Sequence, residues 1–161
     1  MIPALATFAA IGSAMMGGLL FAFSNFVMKA LAQQPPEAGI RTMQAINITI
    51  INPLFFVVFA GTALASMILL VAGAQRVGAP GSAALMVASG FYLLGTVGIT
   101  LGFNVPLNNV LATQTPAAVE AGQYWAAYVS QWLRWNHGRT LASIAATGCF
   151  ILALRQISKG A

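Results

Sequence analysis

Hydrophobic residues in this chain form long uninterrupted runs, bounded by isolated charges rather than alternating with polar positions. Positions 1–28, 42–75 and 77–119 carry no charged side chain, and 140–154 is a shorter charge-free run closed by Arg139 and Arg155. A helix needs roughly 20 apolar residues to cross the hydrocarbon layer, because it rises about 1.5 Å per residue. The runs therefore predict four spanning helices, at about 3–28, 44–73, 82–104 and 136–157. Strands of a membrane barrel would read as alternating segments of about ten residues, whereas these runs are continuous and rich in Leu, Ala, Met and Gly. The expected fold is all-α, an integral membrane four-helix bundle forming one domain over residues 1–161. The first run lacks a basic n-region and has the length of a span, so it is read as a retained helix and not as a signal peptide.

The connections are short. Gln33-Gln34-Pro35-Pro36-Glu37 marks a polar break, followed by a short helical lead into the second span. Residues 75–81 hold Gly78, Pro80 and Gly81 and predict a tight loop. Residues 104–122 are interrupted by Pro106 and Pro116, and a helix break is expected at Pro106. Ser13 and Gly17, and likewise Gly98 and Gly102, have the small-xxx-small spacing that lets helix backbones approach closely in lipid; ordinary glycine enrichment of membrane helices is the other reading.

Composition sharpens the picture. Nine charges on 161 residues, seven basic and two acidic, cannot cover a water-facing surface, and a 59% hydrophobic content excludes disorder. Cys149 is the only cysteine, so a disulfide framework, a zinc cluster and a thioredoxin-type pair are all excluded. The net charge of +5 would suggest nucleic acid in a soluble protein, but the basic residues are dispersed, and no nucleic-acid partner is expected. Orientation is nearly balanced: Arg76, Arg155 and Lys159 lie at one end, and Lys29, Arg41, Arg134 and Arg139 at the other. If Arg134 or Arg139 is folded into the bundle for function, both termini lean towards the cytoplasm.

A protein that only sits in lipid has little reason to keep amides near its spans, since each buried polar group must find a partner. This chain keeps Gln44, Asn47 and Asn52 near the start of the second span, Asn104, Asn108 and Asn109 at the end of the third, and Asn136, His137 and Arg139 at the start of the fourth. In an alternating topology all three groups converge on one membrane face. Arg41, Gln44, Asn47 and Asn52 fall within roughly 140 degrees of a helical wheel, and Asn104 and Asn108 are an i, i+4 pair with Thr100 one turn earlier.

Trp125, Tyr128, Trp132, Trp135 and Arg139 are spaced by 3, 4, 3 and 4 residues and share a stripe about 80 degrees wide. Two readings stay open: a flat wall for a planar ligand with a guanidinium at its inner end, or an interfacial aromatic belt. His137 is the sole histidine, a residue type suited to general-base work, yet an unbroken helix points it roughly 160 degrees away from Arg139. Either the fourth span begins irregularly near Asn136, or the two do not serve one site.

Several chemistries fail on residue count. One histidine cannot supply bis-histidine haem ligation or a 2-His-1-carboxylate iron site. Glu37 and Glu120, the only acids, lie outside the spans, which argues against a proton-coupled carrier built on an intramembrane acid. No glycine-rich phosphate loop occurs between a strand and a helix. Neither a metal nor a nucleotide cofactor is expected.

Three segments together carry a family resemblance: Met43-Gln44-Ala45-Ile46-Asn47 running to Asn52-Pro53, then Asn104-Val105-Pro106-Leu107-Asn108, then Trp132-Leu133-Arg134-Trp135-Asn136-His137-Gly138-Arg139. The chain resembles the anthrone oxygenase family, small four-helix membrane proteins formerly catalogued as a domain of unknown function. The resemblance implies an oxygenase that uses O2 to convert an anthrone-like polycyclic phenol to a quinone with no metal or flavin, in a bacterial cytoplasmic membrane. Under it, His137 is the candidate base, Arg139 with Asn104, Asn108 or Asn136 holds the developing oxyanion, and Trp132 and Trp135 stack on the rings. Gln44, Asn47 and Asn52 complete the expected substrate-binding set. Expected partners are membrane lipid and a hydrophobic aromatic small molecule, with an oligomer or larger membrane complex open. Two other classes remain: an accessory subunit whose aromatic stripe meets a protein or a quinone headgroup, and a small carrier.

Overall fold

A computed structural model describes residues 1–118 and 120–160. Its described residues form five helices: α1 (Ile2–Ala32), α2 (Pro36–Thr49), α3 (Pro53–Ala74), α4 (Ser82–Ala112) and α5 (Ala121–Lys159). All but α2 are long and apolar enough to cross a membrane, and the molecule is a membrane protein. Helix α1 packs against α3 and α5, and α4 packs against the same two, so the four long helices form an up-and-down ring. Helix α2 lies across one end, against the start of α5 and the last turns of α1 and α4.

Three element boundaries differ from the sequence expectation. The span expected at 44–73 is two helices, because the residue before a proline is driven out of helical geometry. Asn52 takes φ −138° and ψ 163°, and its side-chain oxygen caps the new helix by accepting from the Phe55 backbone N–H at 3.0 Å. The helix expected to begin at 136 begins at Ala121 instead, since residues 123–135 bury their aromatic side chains against protein, and an apolar-run criterion detects only lipid-facing helix. The helix expected to end at 104 continues to Ala112, and Pro106 does not break it. The turn before the proline, Thr100–Asn104, is π-helical, with the Val105 N–H bonded back to the Thr100 carbonyl. That widened turn shifts the bonding register so that Pro106 enters at the start of the next helical stretch, where its missing donor costs least.

The loop between α3 and α4 follows the sequence expectation: Gly78 (φ 90°) and Gly81 (φ 83°) occupy the left-handed region that glycine tolerates. Of the two small-residue pairs, Ser13 and Gly17 are buried, with Gly17 against Ile144 and Ser143 of α5. Gly98 and Gly102 meet no neighbouring helix, so for that pair the composition reading applies.

Two apolar cores divide the bundle. The ring encloses an alanine-rich core that includes Ala6, Ala9, Leu69, Leu85, Tyr92, Ala146 and Phe150. The end covered by α2 holds a bulkier one, built from Met28, Ile40, Met43, Leu111, Trp125, Tyr128 and Trp132. Gly39 permits this packing: a Cβ there would meet the Trp125 ring at 2.7 Å. Serine and threonine hydroxyls are buried along the ring core as well, but the buried amides and the buried guanidinium lie in the interval between the two cores: Asn104 on α4 and Asn136 and Arg139 on α5, with half-buried Ser24 of α1 bonded to Asn136.

Helix lengths place that polar layer. At 1.5 Å per residue α3 is about 33 Å long, close to the hydrocarbon thickness, whereas α1, α4 and α5 run to about 46, 46 and 58 Å. Counted an equal rise from the end that holds the short loop, the start of α3 is level with Ser24, Asn104 and Arg139. The polar layer therefore sits at the edge of the hydrocarbon, and the aromatic core with α2 projects beyond it.

Candidate functional site

Arg139 is the centre of the polar layer and is 7% exposed. Its Nη2 donates to Asn136 Oδ1 at 2.7 Å, and its Nη1 donates to Thr100 Oγ1 at 3.2 Å. The guanidinium carbon stands 5.2 Å from the Trp132 ring centroid, on a ring that also packs against Phe23. Thr100 is held by donating to the Thr96 carbonyl at 2.6 Å. Asn136 uses its amide nitrogen across the helix interface, donating to the Leu20 carbonyl and to Ser24 Oγ, both at 2.8 Å.

Every oxygen that Arg139 meets is neutral. Glu37 is engaged with Arg41 at 2.7 Å on the exposed face of α2. Glu120 precedes α5 by a rise of roughly 28 Å from Arg139 along the helix axis. Removing a cation from water costs several kcal/mol, which a partner charge usually offsets. Here none does among the described residues, and a further polar group stands idle: Arg139 Nε and Asn104 Oδ1 are both buried without a hydrogen-bond partner. An ionisable side chain buried at membrane depth is by default a candidate functional group.

Ser24 was not singled out by sequence reasoning, yet it joins the two halves of the site. It lies in a π-helical turn of α1, Phe23–Val27, at the level of the π-helical turn of α4. Its hydroxyl accepts from Asn136, lies 2.9 Å from His137 Nδ1 and 3.2 Å from Thr140 Oγ1. The only available signal was the polar pair Ser24-Asn25 inside an apolar run.

Helix α5 is regular through this region, so His137 and Arg139 do face different ways, and His137 is exposed. They communicate through Ser24 and Asn136. Asn104, 1% exposed, donates to the Trp132 carbonyl at 3.2 Å and borders the site. Trp135 lies on the outer side of the α4–α5 seam, stacked on Phe103 with centroids 3.6 Å apart and planes at 14°.

The other expected residues serve the projecting core. Asn108 Oδ1 accepts from the Tyr128 hydroxyl at 2.9 Å and from Trp132 Nε1 at 3.0 Å. Gln44 donates to the Leu111 and Gln114 carbonyls at 2.9 and 3.1 Å, satisfying acceptors left over at the end of α4. Asn47 is half-buried beside the Tyr128 hydroxyl. Asn52 is exposed and occupied in capping, and does not join the site. Trp125, Tyr128 and Trp132 are neither an open wall nor a belt. They are buried in protein at 5% exposure or less, so they present no face to an outside partner.

Open clefts lie elsewhere. Three, of about 240, 520 and 320 Å3, gather around Ile2, Arg76, Pro80 and Gly160 at the opposite membrane face and include none of the expected site residues. Shape and chemistry thus point to opposite ends, and the uncompensated buried charge is the stronger sign of a reaction centre. Among the described residues there is no group of three or more His, Cys, Asp or Glu side chains placed to share a metal.

Residues 54–149, more than half of the chain, match the family described as Anthrone oxygenase. The chain belongs to the anthrone oxygenase family. The match runs from α3 through α4 into α5 and so takes in Thr100, Asn104, Trp132, Asn136, His137 and Arg139. Ser24 and helix α2, with Gln44, Asn47 and Asn52, fall outside the matched stretch of the anthrone oxygenase profile. No curated protein and no solved structure matches significantly.

Proposed function

We propose that this protein is an oxygenase of a bacterial cytoplasmic membrane that oxidises an anthrone-like polycyclic phenol to a quinone with O2 and no metal or flavin. The observation that carries the proposal is the buried guanidinium of Arg139, held by neutral oxygens and with Nε unpaired. Anthrone oxidation needs such a group. Loss of a C10 proton converts the central carbonyl to an enolate oxygen, and a fixed cation in a site of low dielectric favours that anion. The enolate itself reduces O2 by one electron. Recombination of the radical with superoxide at C10, with one proton, gives a hydroperoxide. Elimination of water, taking the remaining C10 hydrogen, leaves the second carbonyl. The sum is anthrone plus O2 to anthraquinone plus water.

Arg139, with Asn136 fixing its Nη2, binds the enolate oxygen through Nε. Asn104 Oδ1 accepts from a hydroxyl of the substrate. The C10 proton is taken by a water beside the substrate and passes by way of the Ser24 hydroxyl to His137, whose Nδ1 faces that hydroxyl and whose exposed ring returns the proton to bulk water. This path answers the orientation conflict between His137 and Arg139, because the base need not touch the oxyanion site.

The test is oxidation of an anthrone by the purified protein in nanodiscs, with quinone formation and O2 uptake recorded together. Uptake and quinone should rise in a one-to-one ratio, well above the protein-free rate. Equal rates with and without protein would end the proposal.

A further inference from the structure

Arg139 is only 7% exposed, so a ligand of the size of an anthrone needs a route to it through the fold. On three sides the site is closed by bonded or close-packed contacts. Asn136 ties α5 to α1 through the Leu20 carbonyl and Ser24. The aromatic core under α2 closes the projecting end. Towards the ring core, Thr96 and Ser143 hydroxyls join α4 to α5 at 2.8 Å.

The fourth side is the outer seam between α4 and α5. It is bounded by the Thr96–Ser143 bond on one side and the Asn104–Trp132 bond on the other, and between them Thr100 meets Arg139 and the Ile99 side chain packs on Gly138. Beside Ile99, its lipid-facing closure is the Phe103–Trp135 stack, which no hydrogen bond reinforces. Phe103 is 41% exposed and Trp135 is half-buried. The helix behind them is widened and unobstructed: Thr100–Asn104 is π-helical, and Gly102 has open space where a side chain would be.

Depth favours the same seam. The pair stands at the edge of the hydrocarbon, where amphipathic rings settle with their polar atoms among the headgroups. A planar aromatic anion dissolved in the bilayer would wait at this level.

We propose that the Phe103–Trp135 pair is a lateral binding subsite for a planar aromatic anion, which enters from the bilayer, inserts between the two rings and extends its oxyanion to Arg139. The exchange is balanced by design, because each aromatic face that loses its protein partner gains one on the ligand. The inference rests on the proposed function for the identity of the anion, and on geometry alone for the route.

The experiment uses the full chain in nanodiscs of neutral phospholipid and 2-hydroxyanthraquinone, a planar phenol already oxidised and so unable to turn over. Binding is read from quenching of tryptophan fluorescence, and folding from the melting temperature. Besides the wild type, the variants are Arg139→Gln, Phe103→Ala, Trp135→Ala and, as a control on the lipid face of α3, Ile68→Ala. Stacking on a planar ring typically makes a difference of about tenfold or more on truncation to alanine. Phe103→Ala and Trp135→Ala should each weaken binding to that extent while melting near the wild-type temperature, and Ile68→Ala should bind as the wild type does. In turnover, both aromatic variants should raise KM more than they lower kcat.

The failures are separable. If the wild type binds, Arg139→Gln does not, and both aromatic variants bind as the wild type does, the lateral subsite is wrong and the Arg139 site stands. If Arg139→Gln binds as tightly as the wild type, or if the wild type does not bind, the anion site itself falls and takes the subsite with it.

Discussion

Replacing Arg139 by glutamine separates the catalytic from the structural meaning of the buried charge. The substitution removes the bond to Asn136 at 2.7 Å, the bond to Thr100 at 3.2 Å and the guanidinium over Trp132. Hydrogen bonds to a charged group contribute about 1.5–3 kcal/mol each. Against that loss stands the cost of burying an uncompensated cation, also several kcal/mol, which glutamine does not incur. The two contributions oppose each other at similar size. The expected stability change is therefore small, about 1–2 kcal/mol in either direction, and the shift in Tm a few degrees. Turnover should respond very differently. Loss of one preorganised donor to a developing oxyanion typically costs about 10²–10³ in kcat, equivalent to about 2.7–4 kcal/mol. Steady-state quinone formation and thermal melting, measured on Arg139→Gln and the wild type in the same nanodiscs, give both numbers. A kcat that falls only as far as the folded fraction does would show that Arg139 is a structural residue and that the oxyanion argument is wrong.

Ser24→Ala and His137→Ala should lower the rate by a similar factor, within about 10²–10⁴, because they interrupt one proton path. A large loss in His137→Ala with full activity in Ser24→Ala would break the relay. Gly39→Ala should cost about 1–3 kcal/mol, because its methyl group would meet the Trp125 ring at 2.7 Å in a packed core; unchanged melting would mean that α2 is not seated as described. Single cysteines at Ala79 and Ala117, in a variant lacking Cys149, should label from opposite sides of the membrane, and labelling of both from one side contradicts four crossings.

The class of the fold was legible because lipid imposes a simple rule on sequence. Nine charges cannot solvate 161 residues, and long charge-free runs can satisfy their backbone in hydrocarbon only as helices. The convergence of Asn104, Asn136 and Arg139 followed from the same argument, since an alternating topology assigns helix ends to faces without any knowledge of packing. Apolar runs were blind to the first 15 residues of α5, whose aromatic side chains face protein and not lipid. They were equally blind to the register slip that carries α4 through Pro106.

By itself, then, the sequence determined how many helices cross, which face gathers the amides and which residue types could do the chemistry, because each of these depends on composition and one-dimensional order. Only the tertiary structure decided which polar groups meet. Gln44 and Asn108 are spent on the projecting core and Asn52 on a cap, whereas Ser24, unremarkable in its apolar run, links His137 to Asn136. A side chain's partner is set by how neighbouring helices are rotated and how far they are offset along their axes. The apolar runs of a membrane protein leave those two quantities almost free, and packing fixes them.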